Sequence, residues 1–186
     1  FARFGIPVFV DQTRGILLNP FIELIRAALQ MLIKDFSYET VFHYLRCGLT
    51  GFTPEEVDVL EQYILAFGIR GKRAYEKQFV RRNAASEESV KELEQVNALR
   101  ERLLAEMAPL LTPGETAQDY GTALYHFLEQ NQVQQRLAGY EERFREEDPV
   151  RAMEYGQIYR LVMDLLDQIV GLLGTESMTL QEFYEI

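Results

Sequence analysis

The sequence predicts a mainly α-helical fold of seven to eight helices, with one β-strand near the N-terminus. Apolar residues recur every three or four positions between helix-capping residues along most of the 186-residue chain. Only residues 6–10, Ile-Pro-Val-Phe-Val, form the short β-branched run typical of a strand, and no hairpin joins it to a second one. Because a strand needs a partner, we expect the remainder of its sheet to lie outside this chain.

Three amphipathic helices are predicted in the first half of the chain. Asn19 precedes a proline, which is the usual order of an N-cap and a first helical residue. Ser37 can cap a second helix. Thr53 opens a third with a Thr-Pro-Glu-Glu capping box, and this helix is predicted to end near Gly68.

The second half predicts a long polar helix followed by two shorter ones. Ser86 caps the polar helix, which is expected to reach about Met107 and whose narrow apolar stripe predicts packing on one side only. Residues 112–115, Thr-Pro-Gly-Glu, repeat the pattern of a capping box with a proline. After a glutamine-rich stretch, an acidic helix is expected to end near Glu147.

The last full helix is predicted to be central and buried. It opens at Asp148-Pro149, ends at Gly174, and is apolar nearly all round. Residues 179–182 form a further capping box and open another helix, which stops within two turns. Together with the orphan strand, this predicts that the chain is a segment of a longer protein.

Composition favours a soluble cytoplasmic protein with no membrane contact. The chain has one cysteine, Cys47, so an internal disulfide cannot form, and this suits a reducing compartment. No uninterrupted apolar run reaches the roughly 18 residues of a membrane span.

Charge divides the chain into two unequal halves. Residues 1–83 hold 11 basic and 9 acidic side chains, whereas residues 84–186 hold 8 and 20, and the whole chain has a net charge of −10. An acidic total argues against a free-standing DNA-binding protein, because contacts to phosphate dominate such affinity. A local basic patch can still contact DNA if the acidic half faces elsewhere.

One basic cluster interrupts the helical pattern between residues 69 and 83. Its cations are Arg70, Lys72, Arg73, Lys77, Arg81 and Arg82. One interpretation is a flexible loop that offers cations and backbone N–H groups to phosphates. The other is a solvated loop, or a clamp onto the acidic second half.

No motif predicts a catalytic or metal site. The chain has no phosphate-binding loop, metalloprotease motif or nucleophile elbow. His43 has Glu39 and Cys47 four positions away on either side, which would suit a metal-dependent enzyme, but zinc sites normally recruit more than one Cys or His. A structural role for His43 is favoured. Adjacent acidic pairs project about 100° apart on a helix and indicate solvated faces.

Several stretches resemble a known family. Residues 5–14 and 19–29 resemble the entry to the second RecA-like domain of superfamily 1 helicase-type proteins. Residues 36–46 and 60–73 are similar to the B subunit of AddAB helicase–nucleases, also called RexB, and residues 179–186 fit the same family. Two departures, Asn19 for histidine and Phe36 for tryptophan, keep a cap or apolar bulk.

The resemblance implies a fold and a division into domains. Residues 1–35 would be a remnant of the second RecA-like domain, consisting of a strand and a helix. Residues 36–186 would form a helical 2B-like insertion, with a possible sub-boundary at residues 83–86.

The resemblance also implies a function. The parent would be one subunit of an ATP-dependent helicase–exonuclease that processes double-strand breaks for recombination, with DNA and the A subunit as partners. ATP with magnesium and a 4Fe-4S cluster would be held by other parts of the parent, and Cys47 is not a cluster cysteine. This segment would bind no cofactor and catalyse nothing, and would guide DNA or hold the A subunit through the basic cluster. The alternative is an all-α protein-interaction module without a DNA role, whose acidic half docks a basic partner.

Overall fold

The computed structural model describes residues 19–112 and 114–186, and within these ranges the chain is helical with no sheet. The helices are α1 (Pro20–Ile33), α2 (Tyr38–Leu45), α3 (Pro54–Phe67), α4 (Lys72–Glu76), α5 (Glu87–Leu111), α6 (Ala117–Gln130), α7 (Val133–Phe144), α8 (Pro149–Leu173) and α9 (Leu180–Glu185). The predicted mainly helical class is confirmed. The nine helices in the described ranges exceed the predicted seven to eight because five residues of the basic cluster form α4. The predicted strand at residues 6–10 lies outside the described residues.

Most predicted helix starts are confirmed by their caps. The Asn19 Oδ1 atom accepts a hydrogen bond from the Phe21 N–H at 2.9 Å, and the capping boxes at Thr53 and Thr179 are both complete. The predicted start at residues 112–115 is wrong. Helix α6 begins instead after Thr116, because the Asp119 carboxylate accepts bonds from the backbone N–H groups on its N-terminal side and closes a capping box there.

Helix α5 is central, which corrects the prediction that it packs on one side only. It contacts α1, α3, α4 and α6. Its buried residues include apolar ones, such as Leu103 and Met107, and four polar ones, Ser89, Asn97, Arg100 and Glu106. The apolar stripe is narrow because these polar side chains replace apolar residues on the buried faces and are matched by hydrogen bonds.

Glu106 is a buried carboxylate that fastens the loop between α2 and α3 to α5. It accepts hydrogen bonds from the Tyr44 hydroxyl at 2.9 Å and from the Gly51 N–H at 3.1 Å. Burial raises the pKa of Glu106, and these hydrogen bonds oppose the rise.

Helices α2 and α3 are also bridged nearer the surface. The Arg46 guanidinium donates two hydrogen bonds to the Glu61 carboxylate, at 2.9 and 2.6 Å. These bonds, with one from the Tyr38 hydroxyl, lower the pKa of Glu61 to about 2.

Helix α8 is peripheral, which corrects the prediction that it is central and buried. Helices α6 and α7 cover one of its faces, where Tyr155 and Val162 are buried. The exposed fractions of Leu161, Leu165 and Leu172 are 48%, 54% and 83%. The apolar pattern all round α8 predicted that every face of the helix is buried, but the described residues leave its other face uncovered.

Helix α9 returns to the first helix of the chain. Phe183 packs with Tyr120 of α6, with ring centroids 5.3 Å apart, and both belong to a small apolar cluster with Leu29. The Tyr184 hydroxyl accepts a hydrogen bond from Gln30 at 2.6 Å. The main core likewise joins residues from both sides of positions 83–86.

Candidate functional site

The six predicted cations lie on one continuous stretch, residues 70–82, which we call the basic segment. It follows the end of α3, where Gly68 has a φ of 63°. The segment then turns at Gly71, with a φ of 81°, forms α4, and runs on without helical structure towards α5. A side chain at Gly71 would have its Cβ 3.0 Å from the Asp35 carboxylate, so both the backbone conformation and the close approach favour glycine there.

Two aromatic side chains anchor the basic segment in the core. Tyr75 is fully buried and Phe79 nearly so. The ring of Phe79 stacks on Tyr63 of α3 at 5.0 Å between centroids, while Tyr75 lies 5.5 Å from Phe36. These rings are therefore part of the core and are not exposed for base stacking.

Two polar side chains of α5 hold the backbone of the basic segment. The amide of Asn97 pairs with both backbone groups of Phe79, accepting from its N–H at 2.9 Å and donating to its carbonyl at 3.0 Å. Arg100 donates to the carbonyl of Tyr75 at 2.9 Å and to the Asn97 side-chain oxygen at 3.2 Å. The backbone is thus fixed at two points, Tyr75 and Phe79, which gives the segment a defined shape.

Two of the six cations complete the ends of neighbouring helices. Arg81 donates to the carbonyl of Phe67, the last residue of α3, at 2.9 Å. Lys72 donates to the carbonyl of Leu111, the last residue of α5, at 3.4 Å and lies 3.7 Å from the Glu76 carboxylate. Cations at helix C-termini offset the partial negative charge of unpaired carbonyls. We assign structural roles to these two residues.

The other four cations are exposed and have no partner in the described part of the chain. No side chain among these four makes a hydrogen bond or ion pair with any residue in the described ranges. We call them, in this sense, the four free cations: Arg70, Arg73, Lys77 and Arg82. The acidic side chains of residues 84–112 and 114–186 form no ion pair with the basic segment either. The clamp onto the acidic half is therefore not observed in this part of the chain, and four positive charges face solvent.

A cleft of about 660 Å³ borders the basic segment where α1, α2 and α3 approach one another. Its lining carries both signs of charge, with Lys34 and Arg70 as well as Asp35 and Glu39. Asp35 has a φ of 47°, in the left-handed region, and its carboxylate accepts a hydrogen bond from the Lys72 N–H at 3.2 Å. This hydrogen bond, at the edge of the cleft, joins the turn after α1 to the start of α4.

The three residues considered for a metal site do not form one. In the described ranges, no group of three His, Cys, Asp or Glu side chains is placed to hold a metal ion. His43 lies 3.9 Å from Glu23, and Cys47 is half-buried. Burial raises the pKa of the Cys47 thiol to about 11, so it is protonated at neutral pH.

Sequence reasoning located the cations but missed the residues that position them. Asn97 and Arg100 are three residues apart on the same face of α5, within a stripe otherwise made of apolar side chains. Polar residues at apolar positions of a helix are the signal that could have identified them, because such residues are buried only when they have partners.

The fold and the site define a class of protein: a helical segment that presents cations on an ordered surface stretch, the basic segment. Comparison with known proteins identifies its family. The chain is 40% identical over 190 residues to the B subunit of an ATP-dependent helicase/deoxyribonuclease from Lachnoclostridium phytofermentans, an alignment that covers 98% of this chain and 16% of the relative. It is 37% and 35% identical over 196 and 197 residues to the proteins of the same name from Clostridium botulinum and Acetivibrio thermocellus, with 100% of this chain and 17% of each relative covered.

The chain belongs to the family of B subunits of these helicase/deoxyribonucleases, as the resemblance to AddB/RexB predicted. It spans about a sixth of the length of the relatives it matches. No family model matches the chain. Among its described residues, no helix is both long and apolar enough to cross a membrane.

Proposed function

We propose that this chain guides DNA along its basic segment, as a non-catalytic part of a helicase–nuclease subunit. The relatives are named as the B subunit of an ATP-dependent helicase/deoxyribonuclease, which supports DNA as a substrate and an A subunit as a partner. In this proposal the enzyme acts in double-strand-break repair and recombination in the cytoplasm. ATP with magnesium and an iron–sulfur cluster are bound elsewhere in the protein. Residues 36–186 are its 2B-like insertion, and residues 1–35 are a remnant of its second RecA-like domain.

The four free cations of the basic segment carry this proposal. Arg70, Arg73, Lys77 and Arg82 are exposed, and Asn97 holds the backbone between them in one conformation. Cations carried on an ordered backbone bind phosphates with a smaller entropic cost than cations on a mobile loop. The acidic remainder of the chain repels a polyanion, so DNA is confined to the basic segment.

The test uses charge neutralisation in the intact heterodimer. Arg73→Gln with Lys77→Gln removes two cations that have no partner among the described residues, so the fold is expected to be unaffected. If both contact phosphate, the slope of log Kd against log salt falls by about two units on duplex DNA, since each phosphate contact contributes about one. Arg160→Gln is the matched control, because this exposed α8 arginine also lacks a described partner and is outside the basic segment.

An unchanged salt slope in the double variant would contradict the DNA role of the basic segment. The second candidate function is then favoured, an interaction module that docks a basic partner through its acidic half. The observation behind it is the charge of residues 84–186, with 20 acidic and 8 basic side chains. In that case neutralising exposed acidic residues of α7 or α8 weakens binding of the A subunit, whereas DNA binding is unaffected.

A further inference from the structure

One exposed face of α8 carries four large apolar residues between its first turn and its last. Residues 4, 7 and 11 positions before and after Leu161 lie on the same side of the helix as Leu161. Those before it are Val150, Glu154 and Gln157, and those after it are Leu165, Gln168 and Leu172. We call this face, residues 150, 154, 157, 161, 165, 168 and 172, the α8 seam.

The α8 seam has the features of a helix-packing surface without a described occupant. Val150, Leu161, Leu165 and Leu172 are 48% to 83% exposed. The steps of three and four residues are those with which two helices pack side by side, and the seam runs for about 33 Å at 1.5 Å per residue. The other three of its seven positions are polar, and only one of them, Glu154, is charged. A row of exposed large apolar side chains along one helix face is typical of an interaction surface.

We infer that the α8 seam is covered by a helix from another part of the same polypeptide. The relatives align with this chain over 98% to 100% of its length and are about six times longer, so the family provides a large remainder of polypeptide beside it. That remainder is covalently linked, and its effective concentration far exceeds that of a separate partner. The inference rests on membership of the B-subunit family and does not depend on the DNA role of the basic segment.

Charge specifies the chemistry of the occupant and argues against a second copy. Glu154 lies in the seam, and Asp164 and Asp167 follow its exposed edge with one cation, Arg160, between them, so that the edge and the seam together are net negative. An occupant helix with an apolar stripe flanked by Lys or Arg complements this edge. Two copies of this chain packed seam to seam would bring acidic edges together, because residues 84–186 are strongly acidic as a whole.

The experiment measures access to the seam in the full-length protein. Leu161→Cys and Leu172→Cys are labelled with a maleimide under native conditions and quantified peptide by peptide. Gln135→Cys is the matched control, since it is exposed on α7 and lies outside the α8 seam and its acidic edge. We expect labelling at positions 161 and 172 to be at least about tenfold slower than at 135, because covered positions react only after local opening. Equal rates at all three positions would overturn the inference.

A photo-crosslinking amino acid at position 165 identifies the occupant. The expected product is an intrachain crosslink to a helix outside the aligned segment, with Lys or Arg beside its apolar stripe. A crosslink to the A subunit, a crosslink to a second copy, or no crosslink would each refute it. The neutralised basic-segment variants leave the seam intact, so a failed DNA test and a failed seam test are distinguishable.

Discussion

Asn97→Ala is expected to release the basic segment from α5. The substitution removes the hydrogen bond that Asn97 Oδ1 accepts from the Phe79 N–H at 2.9 Å and the one that Asn97 Nδ2 donates to the Phe79 carbonyl at 3.0 Å. A buried backbone group left without a partner costs about 1 to 3 kcal/mol, so the two together cost about 2 to 6 kcal/mol. The lower end is expected, because the segment is near the surface and can swing out until water satisfies both groups.

Amide hydrogen exchange of the purified chain measures this loss where it occurs. A decrease of about 2 kcal/mol in the local opening free energy corresponds to about 30-fold faster exchange at the Phe79 amide. The core of α5, for example at Leu103, keeps its wild-type protection, because the change is local. The same variant is expected to weaken DNA binding by the heterodimer, since the backbone that carries the four free cations becomes mobile.

Asn83→Ala is the matched control for this variant. Asn83 is exposed, makes no hydrogen bond among the described residues and ends the same stretch of chain. If exchange at Phe79 in Asn97→Ala stays within about threefold of wild type, the Asn97 amide does not hold the segment and the reasoning from its hydrogen bonds is wrong.

Three further predictions concern ionisable groups. The folded pKa of Glu61 is about 2, below its usual 4.5, so its bond to Arg46 stabilises the fold above pH 4.5 and is lost as the pH falls towards 2. In Glu61→Gln, the free energy of urea unfolding is expected to lose this acid dependence. The change is at most about 1 kcal/mol, because Arg46 is half-exposed. The pH dependence of Glu106 has the opposite sign, since its folded pKa is raised. Its contribution to the free energy of unfolding is greatest below pH 4.5 and declines as the pH rises through the folded pKa. The free energy of urea unfolding of Glu106→Gln is therefore expected to lack that decline, and its persistence in the variant would contradict the assignment. With its pKa near 11, Cys47 is expected to react with iodoacetamide at pH 8 about 100-fold more slowly than glutathione, and urea is expected to restore the rate.

The sequence predicted helix starts well, because a cap is a local feature. Asn19 and Thr53 each bond a backbone N–H two or three residues ahead, and no tertiary contact is needed for this. The start of α6 was misplaced for a related reason. Thr112 and Thr116 are both followed by an acidic residue three positions on, and the loop after α5 is fixed at Thr116 by backbone bonds to residues near Ser177.

The sequence could not predict which long helix is central, because burial depends on the neighbours that a helix finds. Helix α8 is the more apolar, yet the described residues cover one of its faces. Helix α5 is the more polar, yet it is surrounded, since Glu106 and Arg100 each meet partners from distant parts of the chain. Hydropathy indicates what a helix can bury, whereas tertiary partners decide what it does bury.

The same distinction separates the free cations from the structural ones. All six are alike in sequence, in a stretch with a single acidic residue. Arg81 and Lys72 become structural because the carbonyl ends of α3 and α5 arrive beside them, and no local pattern encodes that meeting. Neutralising Arg81 therefore should expose the α3 terminus and perturb the fold, whereas neutralising Arg73 should change the surface charge alone. A basic cluster in a sequence therefore contains candidates for two roles. Those cations that lie beside helix C-termini bond the unpaired carbonyls there, and the others remain available to bind a ligand.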